Sequence, residues 1–242
     1  MPQGGTAEEK FSLNAISGRR HPEKKNFVAL RIARVNHCCS HNADHTYDDD
    51  TAVHILFSNR EIQKGEEICI DYGVGCDVNV GSNSEETNYN QDELLINKDN
   101  LKLRWGVVCP SDCVCNESQM TLLVNNGKQL CKDCNHLFTI GKRAAAFKTI
   151  KEVINIQEKI FAPAFSKAKS HFAAFEIAIM TEKTLPEAIQ HLRYVCNLYA
   201  AVFPFSTMTV EKLKLLENPK LHPNYLVHEY QSYQYGSRSN PK

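Results

Sequence analysis

The chain has 242 residues, enough for one large domain or two small ones with a hydrophobic core. Its hydrophobic fraction of 42% and its charged fraction of 23% are ordinary for globular proteins and exclude collagen, coiled coil and wholesale disorder. Basic and acidic residues number 28 each, so the net charge of zero gives no sign of a nucleic-acid or membrane partner.

No secretory signal is recognisable at the N-terminus, because no apolar stretch of about 7 to 15 residues follows Met1. No apolar run approaches the length of a membrane span either. These features predict an intracellular protein, in the nucleus or the cytoplasm. In a reducing compartment, ten cysteines are more often metal ligands or catalytic groups than disulfides.

The first third of the chain is predicted to contain short strands. Residues 1–30 are polar and irregular, which indicates a solvated loop. Apolar residues alternate along 52–58 and again along 68–72, so both segments predict strands, and the polar residues 63–66 between them predict a turn. The Gly/Asn/Ser/Glu-rich stretch from Gly75 to Gln91 predicts a surface loop.

From about residue 118 the apolar residues recur with the period of helices, in segments separated by Pro163 and Pro204. The sequence Thr184 to Glu187 has the spacing of a capping box in front of one segment. We therefore predict four or five helices. Three stripes are expected to form their core: Ala146, Ile150, Val153, Gln157 and Ile160; Phe165, Ala168, Phe172, Phe175 and Ile179; Ile189, Leu192, Val195, Cys196, Tyr199 and Phe203.

Three cysteines, Cys109, Cys113 and Cys115, lie within seven residues. A structural zinc ion needs four ligands in a tetrahedron, so this segment requires one more, and Cys39 is the natural fourth if the strands bring the two segments together. Buried free thiols are the alternative. A separate cluster of His37, His41 and His45 with Cys38 and Cys39 is a further alternative.

Cys131 and Cys134 form a second cysteine pair, with the spacing Cys-x-x-Cys. A redox motif requires a strand before it and a helix N-terminus that lowers a thiol pKa, but the flanking sequence is helical on both sides. The pair is interpreted as structural thiols, with a second metal site and redox activity as the alternatives.

Three motifs in order resemble the SET-domain lysine methyltransferases. The segment Asn36-His37-Cys38-Cys39-Ser40-His41-Asn42 is similar to the family signature Asn-His-Ser-Cys-x-Pro-Asn. Residues 65–72, Gly-Glu-Glu-Ile-Cys-Ile-Asp-Tyr, resemble Gly-Glu-Glu-Leu-x-x-Asp-Tyr. Residues 105–108, which lead into the cysteine segment, resemble the post-SET zinc segment of the SET-plus-MYND type, although no MYND finger is present.

This resemblance implies an α+β protein: a partial SET-type β-fold, a zinc-binding post-SET segment and an all-helical C-terminal region. No Gly-x-Gly segment precedes Asn36, so the expected chain is a fragment with the C-terminal part of a SET domain, whose activity on its own is left open. The expected divisions are a polar N-terminal segment (1–30), the SET part (31–76), a surface loop (77–93), the post-SET zinc segment (94–117), the helical region (118–228) and a tail (229–242).

For function, the resemblance implies transfer of a methyl group from S-adenosylmethionine to a lysine of a protein, histone or non-histone. Asn36 and His37 would bind the cofactor, Tyr72 would be the catalytic residue, and Cys39, Cys109, Cys113 and Cys115 would bind Zn²⁺. Two other functions compete. One is a catalytically inactive, zinc-stabilised scaffold for protein binding, and the other is a zinc-dependent nucleic-acid binder, which the zero net charge argues against. Direct nucleic-acid or membrane binding is not expected.

Overall fold

The computed structural model describes residues 31–48, 51–72, 101–109 and 118–227, together with Thr6, 16–17, 26–27, Ala29, Val78, Ser111, Cys113 and Cys115. These residues fall into two compact units. The first contains the strands and the cysteine segment, and the second contains Val78 and most of the helical residues from Asn125 onward. The tail predicted at 229–242 and nearly all of the loop predicted at 77–93 lie outside the described residues.

Six short strands form three separate pairs in the first unit. In chain order they are β1 (Ile16–Ser17), β2 (Asn26–Phe27), β3 (Asn36–His37), β4 (Ala43–Asp48), β5 (Val53–Ser58) and β6 (Cys69–Ile70). The pairs β1–β2 and β4–β5 are antiparallel, whereas β3 and β6 are parallel. The prediction that residues 1–30 form an irregular loop was therefore wrong at β1 and β2, because a ladder of backbone hydrogen bonds needs no apolar alternation.

The hairpin of β4 and β5 pairs Ala43 with Ser58 at its open end and Asp48 with Val53 at its closed end. Strand β5 confirms the prediction from alternating apolar residues. Strand β4 was not predicted, because its sequence Ala-Asp-His-Thr-Tyr-Asp is polar. Its polar residues are nevertheless largely covered: Asp44 is buried, and its carboxylate accepts a hydrogen bond from Asn59 Nδ2 at 3.3 Å.

A small apolar core forms beside the parallel pair of β3 and β6. Ile32, Ala43 and Ile70 are buried there. Partly buried residues pack against them, namely Ala29, Val35, Leu56 and Tyr72. The predicted turn at 63–66 is confirmed by the hydrogen bond from Glu66 N to Gln63 O, 3.0 Å, and Gly65 supplies the left-handed conformation there, with φ +90°.

Five α-helices follow in the described part of the chain, in agreement with the four or five predicted from the helical period. They are α1 (Ser118–Thr139), α2 (Arg143–Lys159), α3 (Ala164–Ala178), α4 (Leu185–Val202) and α5 (Thr207–Glu217). Single turns of 3-10 helix cover Ile32–Arg34, Glu182–Thr184 and Pro219–Leu221, and a five-residue π-helix covers Leu101–Trp105. The coarse arrangement, strands first and helices afterwards, agrees with the predicted α+β class.

The core of the helical unit follows the predicted stripes with one systematic difference. The fully buried side chains include Ile150 and Val153 on α2, Phe175 on α3 and Leu192 on α4. On α3, Ala168 is buried as predicted, but small residues outside the predicted stripe, such as Ala164 and Ala174, also face the interior. Phe165 and Phe172 are only partly buried, and the ring of Phe165 instead meets that of Tyr199, with centroids 5.5 Å apart.

Helix α4 begins where the capping box predicted, but not through the predicted hydrogen bond. Thr184 is the residue before the first turn, and its side chain caps no backbone N–H. Its hydroxyl instead donates to Ala178 O at 2.6 Å, the last residue of α3. The box prediction was therefore wrong in its bonding, because the carbonyl at the end of the preceding helix is an acceptor that the local sequence does not reveal.

The prediction of a surface loop at residues 77–93 was wrong at Val78. Its side chain is fully buried, and its carbonyl accepts a hydrogen bond from Gln157 Nε2 at 2.5 Å. Its two methyl groups lie 3.0 Å from the position that a Cβ would take on Gly127 of α1. A side chain at position 127 would therefore require Val78 and Ile156 to shift by a few tenths of an ångström.

Two histidines from neighbouring helices share a hydrogen bond in the helical unit. Nδ1 of His171 on α3 and Nδ1 of His191 on α4 are 2.9 Å apart, and the His171 ring stacks on Tyr194 at 3.9 Å. Burial, followed by the charges of the nearby His191 and Lys167, lowers the pKa of His171 to about 4. Burial also lowers the pKa of His191, and Lys151 adds to this while Glu187 opposes it.

This histidine pair predicts that the helical unit loses stability in mild acid. Between the unfolded pKa near 6.5 and the folded value near 4, the unfolded chain binds more protons, so the free energy of unfolding falls as the pH falls through that window. We expect a loss of about 1 kcal/mol between pH 7 and pH 5, allowing for solvent screening. Urea unfolding followed by circular dichroism measures it. His171→Phe should flatten the dependence, whereas His136→Phe, at an exposed position of α1, should not; equal slopes would contradict the prediction.

Candidate functional site

The parallel pair of β3 and β6 brings the two resembling motifs together. Asn36 is paired with Cys69 and His37 with Ile70, and Cys38 N continues the ladder with a hydrogen bond to Ile70 O of 3.2 Å. The first motif therefore runs alongside the segment that ends at Tyr72. Sequence order alone separates these residues by more than thirty positions, so it is this strand pair that makes a common site possible.

Asn42, the last residue of the first motif, fastens its loop to the second motif. Its buried side chain accepts a hydrogen bond from Cys69 N at 2.9 Å. Its Nδ2 donates to Glu66 Oε1 at 2.9 Å and to Glu67 O at 2.8 Å. Two of these bonds link the loop to Glu66 and Glu67 before β6 and the third links it to β6 itself, which identifies Asn42 as a structural residue of the site.

Replacing Asn42 by alanine is expected to destabilise the first unit by about 2 kcal/mol, because the substitution leaves buried polar groups without partners. Asn59→Ala is the matched control, since it removes one hydrogen bond of 3.3 Å to Asp44 and should cost less. Urea unfolding followed by the emission of Trp105, the single tryptophan, measures both. Equal losses of unfolding free energy in the two variants would show that the hydrogen bonds of Asn42 stabilise the unit no more than the single bond of Asn59.

Glu66 completes this connection as a structural carboxylate. It accepts hydrogen bonds from the Arg60 guanidinium, the Asn42 amide and Gln63 N. The Arg60 guanidinium is the main cause of a Glu66 pKa lowered to about 2, and the bonds from Asn42 and Gln63 add to it. The charges of the predicted turn therefore stabilise the connection between the two motifs.

The structure brings together the four thiols that the sequence analysis grouped. The sulfur atoms of Cys39, Cys109, Cys113 and Cys115 all lie within 4.8 Å of one another. Cys39 Sγ is 3.7 Å from Cys109 Sγ, and Cys115 Sγ is 3.4 Å from Cys113 Sγ. Zinc–sulfur distances of about 2.3 Å in a tetrahedron place the sulfur atoms about 3.8 Å apart. The cluster therefore has the donor set and nearly the dimensions of a four-thiolate zinc site.

The electrostatics of the cluster also fit a cation. Burial, followed by the neighbouring thiols of Cys115, Cys113 and Cys109, raises the pKa of Cys39 far above its usual range. Burial also raises the pKa of Cys113. Four neighbouring thiolates repel one another, and a divalent cation at their centre is the kind of partner that would stabilise the deprotonated form.

His37 lies between this cluster and Tyr72. Its side chain is 2% exposed. Nε2 of the ring lies 3.3 Å from Cys39 Sγ, and Nδ1 accepts a hydrogen bond from Tyr72 N at 3.2 Å. Burial lowers the pKa of His37, against the opposing effect of the Asp71 carboxylate 3.7 Å away.

Tyr72 lies in a row of three rings. Its ring centroid is 5.4 Å from that of His37 and 5.5 Å from that of Trp105. Its hydroxyl donates to Val35 O at 2.7 Å, so it points to the segment that carries Asn36 rather than away from it. Burial raises the pKa of Tyr72, which keeps the hydroxyl protonated at neutral pH. Trp105 had not been expected in this row from the sequence.

The Asn36 side chain is placed differently from the other two. Its backbone pairs with Cys69, but its exposed amide donates to Glu67 Oε1 at 2.5 Å. His37 and Tyr72 are therefore in direct contact, and Asn36 joins them through the strand rather than through its side chain. The roles assigned to these three residues from the resemblance stay predictions.

The other cysteine and histidine sites favour structural interpretations. Cys131 and Cys134 lie inside α1 and are buried, and Cys134 Sγ donates to Ala146 O at 3.5 Å. Burial raises the Cys134 pKa to about 11, which disfavours a reactive thiolate. His41 contacts Asp44 at 3.2 Å, and His45 contacts His54 at 2.9 Å. Among the described residues, the four-cysteine cluster is the single group of three or more potential metal ligands.

No helix in the described part of the chain is both long and apolar enough to cross a membrane. In comparisons with known proteins, the family model of the SET domain matches residues 8–73, about a quarter of the chain. The match begins upstream of residue 31, where the sequence analysis placed the start of the SET part, and it ends before the cysteine segment. No curated protein matches the chain, and no solved structure does.

Proposed function

Since the chain contains a SET domain at residues 8–73, we propose that it is a protein-lysine N-methyltransferase that uses S-adenosylmethionine. SET domains generally catalyse this reaction. The observation that carries the proposal is the contact between His37 and Tyr72 across the parallel pair of β3 and β6, because it unites residues of both family motifs at one place.

The residues at this place suit a positively charged methyl donor. The rings of Tyr72 and Trp105, 5.5 Å apart and both partly buried, offer π faces that attract a sulfonium or an ammonium group. The carbonyl oxygen of Val35 has a partial negative charge, which also attracts a cation. The two aromatic faces and the carbonyl are therefore suited to S-adenosylmethionine. Asn36 and His37 are proposed to hold it.

Bound S-adenosylmethionine supplies a methyl group on a positively charged sulfur, which a neutral amine can displace directly. Little acid–base assistance is then required of the protein, and positioning supplies most of the acceleration. Tyr72 is proposed to provide this positioning. Its hydroxyl donates to Val35 O, and its oxygen has lone pairs with which it can accept a hydrogen bond from the substrate amine and so aim the nitrogen.

The four cysteines are proposed to hold one structural Zn²⁺, as in a post-SET segment. Cys39 follows His37 by two residues, and Cys109 follows Trp105 by four residues. Zinc held by these thiolates would fix the positions of His37 and Trp105, the two ends of the row of three rings. The proposed protein substrate presents a lysine, and the acidic excess of residues 1–116, with 18 acidic and 12 basic residues, would favour a basic segment around it.

A transfer assay with radiolabelled S-adenosylmethionine tests the proposal on histones and on proteins of a cell lysate. We expect label on protein lysines and a calorimetric binding signal that S-adenosylhomocysteine abolishes by competition. Zinc-loaded chain with neither binding nor transfer would refute the enzymatic function.

One observation favours the scaffold as a second candidate. The two polar groups that would serve the reaction already have partners within the chain, the Asn36 amide with Glu67 and the Tyr72 hydroxyl with Val35. In a scaffold these bonds would be purely structural. The scaffold predicts zinc binding without any heat of S-adenosylmethionine binding, so the same calorimetric experiment separates the two functions.

A further inference from the structure

The imidazole of His37 touches both halves of the proposed site. On one side, Nε2 is 3.3 Å from Cys39 Sγ in the thiol cluster. On the other, Nδ1 accepts from the backbone N–H of Tyr72, and the two rings are 5.4 Å apart. A side chain that is 2% exposed and held from two directions has little freedom to adopt another orientation.

The contact with Tyr72 selects one tautomer of the neutral ring. A backbone N–H can only donate, so the tautomer that accepts from Tyr72 N has Nδ1 unprotonated. The Ile70 carbonyl and the Asp71 carboxylate, 3.7 Å from Nδ1, are acceptors that favour a protonated ring. In the tautomer that accepts from Tyr72, the proton is on Nε2, the nitrogen that faces the sulfur of Cys39. A thiolate ligand is a better acceptor for that proton than a thiol.

We propose that His37 is a positioning residue that couples metal binding at the four cysteines to the placement of Tyr72. This inference rests on the proposed zinc site and on the proposed role of Tyr72. When the cluster holds a metal, the Nε2–H bond to the Cys39 thiolate fixes the ring, and the fixed Nδ1 in turn holds the Tyr72 backbone. Without the metal, that bond weakens and Tyr72 loses one of its restraints.

The single tryptophan gives a local signal for this coupling. Trp105 lies 5.5 Å from the Tyr72 ring, centroid to centroid, so its emission responds to movement in the row of rings. Trp105 is also connected to the cluster through the chain leading to Cys109. A variant of His37 that leaves the four cysteines intact therefore separates the coupling through the imidazole from the direct effect of Cys109.

The experiment compares the full chain with His37→Phe, which keeps a buried ring but has no hydrogen-bonding nitrogen, and with His37→Gln, which retains a donor and an acceptor. Co²⁺ is titrated into each metal-free protein, and the thiolate absorption bands of Co²⁺ and the emission of Trp105 are recorded together. We expect a loss of metal affinity of about 10-fold to 100-fold in His37→Phe. We also expect a reduced Trp105 response at saturating metal and partial recovery of both in His37→Gln.

Nitrogen-15 spectra of the histidine rings provide a readout that a merely structural role would not change. In the metal-loaded chain, His37 should show protonated Nε2 and unprotonated Nδ1. His136→Phe is the control, since His136 is exposed on α1 and should leave both titration signals as they are in the unchanged chain.

The possible results distinguish a failure of the coupling from a failure of the metal site or of the methyltransferase proposal. If the unchanged chain binds no Co²⁺ at the thiols, both the metal site and the coupling are wrong. If His37→Phe binds Co²⁺ with unchanged affinity and an unchanged Trp105 response, or if the proton lies on Nδ1, the coupling is wrong while the metal site stands. Calorimetry with S-adenosylmethionine tests the methyltransferase proposal independently of either result.

Discussion

Replacing Cys39 by serine is expected to abolish stoichiometric zinc binding and to lower the free energy of unfolding of the first unit by about 4 kcal/mol at a metal concentration of 1,000 times the dissociation constant. A hydroxyl is a poor ligand for Zn²⁺, and three cysteines cannot complete the tetrahedron. Because the sulfur atoms of Cys39 and Cys109 meet across 70 residues of chain, the metal ties distant segments together. Its binding energy therefore contributes to folding.

The neighbouring residue supplies the control for this experiment. Cys38 lies outside the four-thiol cluster, and its sulfur contacts Ser40 Oγ at 3.3 Å. Cys38→Ser should retain one zinc per chain, by native mass spectrometry, and nearly the same midpoint of thermal unfolding. Zinc retained at full stoichiometry by Cys39→Ser would remove Cys39 from the ligand set.

Replacing Tyr72 by phenylalanine is expected to lower the rate of methyl transfer by about a hundredfold or more, because the reacting nitrogen would lose the group that aims it. The ring remains, so its contacts with His37 and Trp105 should persist. The lost hydrogen bond to Val35 O should cost only about 1 kcal/mol of stability. Single-turnover transfer of radiolabelled methyl groups and urea unfolding measure the two effects separately.

Tyr47→Phe is the matched control, since Tyr47 lies on β4 of the same unit, next to His54 rather than His37. It should change neither transfer nor cofactor binding. A Tyr72→Phe variant that transfers methyl groups at the rate of the unchanged chain would show that the hydroxyl has only the structural contact with Val35.

The sequence predicted those elements whose periodicity reflects burial on one face. Strand β5 was predicted close to its observed bounds, although Val53 of its alternating set is exposed. Helix α2 has such a pattern, and the residues of its predicted stripe are buried. Strand β4 does not, because its buried Asp44 is satisfied by Asn59 from beyond the hairpin. In a sequence, a buried polar residue cannot be distinguished from an exposed one, because its hydrogen-bond partner is set by the tertiary structure.

The thiol cluster could be predicted because ligand number is a constraint that the sequence expresses. Three cysteines in one short segment require a fourth, and the family resemblance indicated where it lies. The ring of His37 was different. The resemblance implied that His37 binds the cofactor, and it gave no sign that the imidazole contacts Cys39 and Tyr72, as it does in the structure. Ring orientation depends on the strand register between β3 and β6, which no local pattern specifies.

The parallel pair of β3 and β6 also implies an order of assembly during folding. A hairpin such as β4–β5 closes within about 1 to 10 μs because its connection is short. Once formed, it brings Asn42 and Asn59 together through a backbone hydrogen bond of 3.0 Å, and the loop that must close before Asn36 meets Cys69 becomes much shorter. We therefore expect the hairpin to be the early nucleus and the parallel pair to form afterwards. In stopped-flow refolding, Leu56→Ala should slow folding, whereas Ile70→Ala should chiefly accelerate unfolding.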